Sequence, residues 1–212
     1  DRASVTVEAD CNFDEPITVI VCKNGEELCK ADGKKFVTVQ FPDARFHAWS
    51  PEDPYLYDLK IVSRRDMVES YFGMHKFSVK NVDGVLRLML NNKPYFHNGL
   101  LDQGYWSDGL YTAPTDEAMI FDISQMKKLG FNMLRKHIKV EPELFYYACD
   151  RLGMVVFQDM VNNGRYSFLR DTALPTIGIK GLPDRRMHRD SRHRDGRTRE
   201  AFMRGMEETV GA

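Results

Sequence analysis

Polar and aromatic side chains gather in one stretch, Asn98 to Gly109, which carries Asp102, Gln103, Tyr105 and Trp106 among several glycines. Further on, Arg135 and His137 close one apolar run, and Gln158 and Asp159 close another. Carboxylate, amide, imidazole and guanidinium groups hydrogen-bond, and aromatic rings offer flat apolar faces. Each group falls just after a segment that reads as a β-strand. Loops that follow parallel strands are where α/β enzymes place their chemistry. Lys136, Lys139 and Glu141 lie nearby and read as rim contacts or plain surface.

The elements that must position these residues follow from periodicity. Residues 4–78 read as β. Ser4 to Ala9 alternates, Ile17 to Cys22 is apolar, and Asn24-Gly25 is a hairpin turn. Glu27 to Ala31 precedes a turn at Asp32-Gly33, and Lys35 to Phe41 alternates strictly. Tyr55 to Val62 and Met67 to Phe72 complete the set. Short strands with regular turn signals predict a sandwich. Trp49 to Tyr57, with Pro51 and Pro54, reads as a structural corner that closes one end of its core. Residues 79–94 read as a joint, with a tight turn at Asn91-Asn92 before Lys93-Pro94.

From Tyr95 the period changes. Tyr95 to Leu101 is strand-like. Thr115 suits a helix N-cap, with Asp116 and Glu117 at the positive end of the dipole. Met119, Ile120, Ile123, Met126 and Leu129 share a helical face, and Gly130 stops it. Phe131 to Arg135 is the next strand. Pro142 opens a second helix, Gly153 ends it, and Met154 to Phe157 is a third strand. The alternation predicts right-handed β/α units.

Composition narrows the classes of function. The chain has 212 residues, a formal net charge of −1 and 42% apolar residues, which is enough for one large domain or two small ones. No run of 18 apolar residues exists to span a membrane. The near-neutral charge gives no general case for nucleic acid. The arginine-dense segment from Asp184 to Arg204 is interleaved with Asp190, Asp195 and Glu200 and has no aromatic platform. It reads as a solvated loop leading into a helix over Thr198 to Val210, or as arginines at a domain or subunit interface. Cys11, Cys22, Cys29 and Cys149 form no C-x-x-C pair; a Cys22–Cys29 bridge is conceivable, and free thiols are the preferred reading. The chain starts at Asp1, already in a strand, and reads as a piece of something longer, so its localisation is unreadable.

Several motifs together resemble glycoside hydrolase family 2, the β-galactosidases, β-glucuronidases and β-mannosidases. Trp49-Ser-Pro-Glu-Asp-Pro-Tyr-Leu-Tyr57 is similar to the family's end-of-sandwich segment. Ser70 to Phe77 resembles the strand leaving its immunoglobulin-like domain, and Leu90 to Gly99 its first barrel hairpin and strand. Asp122 to His137 and Asp150 to Asp159 resemble the approaches to barrel strands two and three. The chain departs from the pattern at His75, where the family usually has Arg, and in the loop Asp102 to Gly109, which lacks the His-Glu dipeptide of familiar members. Arg135-Lys-His137 is one residue shorter than the family's Arg-x-Ser-His.

The resemblance implies a multidomain β plus α/β fold. Residues 1–80 would be an immunoglobulin-like β-sandwich. Residues 81–212 would be the first β/α units of a truncated (β/α)8 barrel, a fold of roughly 250 residues when complete. It implies a retaining mechanism on β-glycosidic bonds, with two carboxylates about 5–5.5 Å apart. The family's catalytic glutamates follow strands four and seven; the first follows an Asn, and no Asn-Glu pair occurs here. No catalytic residue is therefore expected in the segment, and the 212 residues alone are expected to be inactive. The expected role is carbohydrate binding: Asp102 and Gln103 on hydroxyls, Tyr105 or Trp106 stacked on a sugar face, and Arg135, His137 and Asp159 at strand ends. Asp159 would bind sugar or hold Arg135. His75 and His97 are expected to serve packing or the domain joint. No organic cofactor is implied, although some relatives use magnesium or sodium, and a homo-oligomer stays open. The competing readings are a non-catalytic carbohydrate-binding module and a structural piece.

Overall fold

The computed structural model describes residues 3–10, 15–42, 46–160, 168–179 and 196–210. The chain divides into two compact units. Unit 1 comprises Asp1–Leu100, Pro114–Leu134 and Glu143–Val156; unit 2 comprises Leu101–Ala113, Arg135–Pro142 and Phe157–Ala212.

Unit 1 begins with two antiparallel sheets. β1 (Ser4–Glu8) pairs with β4 (Phe36–Gln40). β2 (Ile17–Lys23), β3 (Glu26–Gly33), β5 (Tyr57–Val62) and β6 (Met67–Phe72) form the second sheet in the order β3-β2-β5-β6. Alternate residues of both sheets point into one core. Val7 belongs to β1, Val37 and Val39 to β4, Ile17, Val19 and Val21 to β2, and Tyr57 and Leu59 to β5. Burying each such side chain stabilises the fold by about 1.5–3 kcal/mol. The Tyr57 ring stacks on Phe72 at 5.2 Å and meets the Phe41 edge at 5.0 Å.

Cys22, Cys29 and Cys149 form no disulfide with one another, and Cys11 lies outside the described residues. The register explains why Cys22 and Cys29 are not bridged. Cys29 faces Val21, and Cys22 faces Glu27 across a bulge.

The joint is more regular than expected. It holds a further strand, β7 (Phe77–Val82), hairpinned through Asp83-Gly84 to β8 (Val85–Leu90). β8 then pairs with the two-residue β9 (Lys93–Pro94). Asn91 and Asn92 both take positive φ, 50° and 65°, as the predicted tight turn requires. The following strand is shorter and later than predicted: β10 spans Gly99–Asp102, and Tyr95 and Phe96 stay outside it.

Thr115 caps α1 (Asp116–Lys128); its hydroxyl accepts the Ala118 N–H at 3.2 Å. α2 (Glu143–Leu152) packs on α1 through a face that buries Phe145, Ala148 and Cys149. Gly153 follows at φ 74°, where a Cβ would strike the Pro51 carbonyl, so the close approach needs glycine. The Trp49 corner meets this helical part of unit 1. Its indole N–H donates to the Asp150 carbonyl at 2.9 Å, and Lys127 Nζ donates to the Pro51 and Gly153 carbonyls at 2.6 Å each.

β10, β11 (Met133–Lys136) and β12 (Val155–Gln158) form one sheet in that order. The Asn132 N–H donates to the Asn98 carbonyl, and the Val155 N–H to the Asn132 carbonyl. The His137 N–H donates to the Asp102 carbonyl, and the Asp159 N–H to the Lys136 carbonyl. Partner numbers rise together along neighbouring strands, which is the parallel arrangement.

Unit 2 holds the ends of these strands and the loops beyond them. It also contains a π-helical turn (Leu169–Ala173), a short α3 (Leu174–Thr176) and α4 (Gly196–Val210). Helix α4 starts two residues before the predicted Thr198. Most of the arginine-dense segment lies outside the described residues. Among the described residues, no helix is long and apolar enough to cross a membrane.

Candidate functional site

The site is assembled within unit 2, where β10, β11 and β12 end side by side. Asp102 closes β10, Arg135 and Lys136 close β11, and Gln158 closes β12 with Asp159 just beyond. Parallel strands whose order follows the chain bring these positions together.

Beneath lies a charge cluster. Lys136 Nζ is 3.0 Å from Asp102 Oδ2 and also contacts Glu141 Oε1. Lys139 Nζ lies 2.9 Å from the same Glu141 oxygen, donates to the Gly104 carbonyl at 2.7 Å and sits over the Tyr111 ring at 4.9 Å. The side chains of Lys136, Lys139 and Glu141 are 1%, 4% and 7% exposed, so they are neither the rim contacts nor the plain surface that the sequence suggested. Burial of this kind is stable only because two cations face two carboxylates. A signal for Lys136 was present in the sequence. It shares the inward parity of Leu134 on β11, while Arg135 faces out.

The backbone is shaped around the cluster. Gly104 has φ 63°, and a Cβ there would meet Glu141, Lys136 and Lys139. Its N–H donates to Asp102 Oδ1 at 2.8 Å. Ile138 takes φ 48°, a costly conformation for a β-branched residue, between the two buried lysines.

Above the cluster are side chains with open surface. Arg135 grips Asp159 through two bonds, Nε to Oδ1 at 3.1 Å and Nη2 to Oδ2 at 2.9 Å. This pairing holds the guanidinium above its ordinary range. The Gln103 amide nitrogen lies 3.2 Å from His137 Nδ1. Tyr105 is 63% exposed and meets the Tyr111 ring edge-on at 5.2 Å. Trp106 is half-buried, and its backbone bridges to Leu110. Gln158 is turned inward; its amide donates to the Lys139 and Asp159 carbonyls at 2.9 and 2.8 Å.

The predicted site residues therefore fall into three groups. Arg135 and Asp159 form one bidentate pair, so Asp159 holds Arg135 as one of its two expected roles required. Gln103 and His137 form an adjacent pair, with Tyr105 and Trp106 on the loop after β10. Asp102 is tied inward by both carboxylate oxygens, and sequence reasoning missed the buried cluster that ties it. Such a surface can hydrogen-bond and stack on a polyol ring. Its strand-end carboxylates are each engaged by a cation or an N–H. Among the described residues, no three His, Cys, Asp or Glu side chains are grouped to hold a metal ion.

No protein-family model matches the chain. A β-galactosidase of Leuconostoc mesenteroides is 32% identical over 129 residues, covering 58% of this chain and 12% of the relative. A β-galactosidase of Lactobacillus delbrueckii subsp. bulgaricus is 28% identical over 72% of this chain and 15% of its own length. Among solved structures, a β-glucuronidase from Ruminococcus gnavus in complex with a C6-substituted uronic isofagomine superposes with a TM-score of 0.65. That match is 16% identical and covers 74% of this chain and 27% of the other. The chain is thus similar in sequence to glycosidases and shares a fold with β-glucuronidases, while spanning a small part of each.

Proposed function

We propose that these residues are a segment of a β-glycoside hydrolase of the glycoside hydrolase family 2 type and supply one wall of its sugar pocket. The observation that carries this reading is the convergence of Gln103, Arg135, His137 and Asp159 at the carboxyl ends of three adjacent parallel strands. That edge is where barrel enzymes bind and transform substrates. In this reading residues 1–80 are an immunoglobulin-like sandwich, supported by two sheets over one core. Residues 81–212 open a (β/α)8 barrel, supported by the parallel β10-β11-β12 order with α1 and α2 between the strands.

The segment binds and orients; it does not react. Arg135, aligned by Asp159, and Gln103, aligned against His137, hydrogen-bond ring hydroxyls. Tyr105 and Trp106 provide the apolar faces. Asp102, Lys136, Lys139 and Glu141 hold the loop that carries them. The two glutamates of a retaining double displacement come from elsewhere in the whole protein. Engagement of Asp102, Asp159 and Glu141 in ion pairs supports that division. It equally fits a carbohydrate-binding module that never cleaves its ligand.

Assays on aryl β-galactosides and β-glucuronides separate these readings. The expected result is no turnover by the 212 residues, and turnover once the coding sequence that follows them is included. Turnover by the 212 residues alone contradicts the division of labour. Sugar binding without turnover in the extended chain sinks the hydrolase and leaves the binding module.

A further inference from the structure

A second concave site is lined by residues of unit 1 and shares none of them with the strand-end cluster. It has a volume of about 340 Å³, at the small end of the range of about 300–1,000 Å³ usual for small-molecule pockets. Trp49, Tyr71, His75, Phe77 and Tyr146 supply aromatic walls, and Asp150 is the one carboxylate among its described lining residues. Three of these rings form a connected set. Trp49 lies 5.6 Å from His75, and His75 lies 5.0 Å from Phe77.

The polar groups converge on Asp150. The Tyr71 hydroxyl donates to Asp150 Oδ2 at 3.0 Å, and the Trp49 indole N–H donates to the Asp150 carbonyl. No lysine or arginine is among the described lining residues. The neighbouring Arg151 guanidinium lies over the Tyr147 ring, at 5.4 Å. His75 is the remaining base, and burial holds its imidazole below the ordinary range, so it is neutral near pH 7. Burial also pushes the Asp150 carboxyl up, against the opposing effects of Tyr71 and His75. A half-buried acid walled by aromatic rings, with no lysine or arginine among its described lining residues, is the recognition chemistry of an ammonium or guanidinium group.

We propose that this pocket binds an organic cation, a guanidinium or ammonium group, with Asp150 as its counter-ion and Trp49 and Tyr146 as its aromatic walls. One chemistry has two sources: a free small molecule, or a lysine or arginine side chain from sequence flanking these 212 residues. The proposal stands apart from the sugar site, since it uses none of its residues.

Methylguanidinium is the probe. Titrated into the ¹⁵N-labelled chain, it shifts the Trp49 indole N–H signal saturably. Asp150→Asn keeps an acceptor for Tyr71 and weakens this binding by about tenfold or more, as does Tyr146→Leu. Lack of a saturable shift, or equal affinity in Asp150→Asn, overturns the proposal. Should Asp150→Asn fail to fold, unchanged affinity in Tyr146→Leu overturns it instead. Repeating the titration on the chain with its flanking coding sequence identifies the source. Binding retained there marks a free cation. Binding lost there, but present in the 212 residues, marks a side chain already seated in the pocket.

Discussion

Lys136 and Lys139 have their ammonium groups almost wholly out of water. Each relies on Glu141, and Lys136 also on Asp102. Removing one member leaves charge buried without its counter-charge, which typically costs about 3–5 kcal/mol. Glu141→Gln keeps the shape and removes the shared negative charge. It is expected to destabilise unit 2 by about 3 kcal/mol, read as a lower urea midpoint at unchanged slope. Glu207→Gln on α4, far along the chain and exposed, is the control and should stay within about 0.5 kcal/mol. A loss from Glu141→Gln no larger than the control's would mean that the cluster does not hold this part of the molecule. Charged residues default to the surface in any reading of sequence, so the burial of Lys139 and Glu141 was illegible: it depends on partners brought together by the ends of β10 and β11 and the loops that follow them. Arg135 and Asp159 were legible because both stand at the end of an apolar strand, where a polar residue needs a reason.

Elements were easier to read where a cap or turn fixed them. Thr115 was legible as an N-cap, and Thr115→Ala should lower stability by about 1 kcal/mol in thermal or urea unfolding. A loss under about 0.3 kcal/mol would show that α1 is held by packing alone. Strand β7 was missed because its apolar residues face outward: Phe77 and Val79 are 47% and 60% exposed, and the pairing with β8 defines it instead. Tyr95 and Phe96 misled for the opposite reason, since two aromatic residues after Pro94 suggested a strand that starts only at Gly99. The histidines of the joint carry a pH dependence. Burial holds both His75 and His97 below their ordinary range. The unfolded chain therefore takes up protons first as the pH falls through 6.5, the ordinary histidine value. Stability is undiminished above that pH and falls below it, toward the folded-state values. The raised Asp150 carboxyl acts the other way at lower pH, toward 3.8, where the native state binds its proton first. The urea midpoint should drop between about pH 7.5 and about pH 5.5, and replacing both histidines with Gln should flatten that drop. An unchanged slope in the double variant would place the pH dependence elsewhere.

At the scale of the molecule, the chain carries much exposed apolar surface. Phe96 is 82% exposed, Leu129 75%, Leu86 73% and Phe121 60%. Among the described residues, β10 and β12 are the edges of the parallel sheet, each paired with β11 alone. The chain spans a small share of the relatives that it matches, 12% of one and 27% of another. The sandwich and the β/α alternation were legible because periods of two and of about 3.6 residues leave marks in composition. The proposed sugar-facing role rests on resemblance, because side chains that bind a polyol also serve as ordinary surface. The strand ends of unit 2 are proposed to form a sugar-binding wall. Saturation-transfer NMR with galactose and glucuronic acid tests it most directly, comparing the chain with Arg135→Ala and Gln103→Ala. The expected result is transfer from protein to at least one sugar, reduced by about tenfold or more in Arg135→Ala and less in Gln103→Ala. Transfer that both substitutions leave unchanged, or no transfer to either sugar, would contradict it.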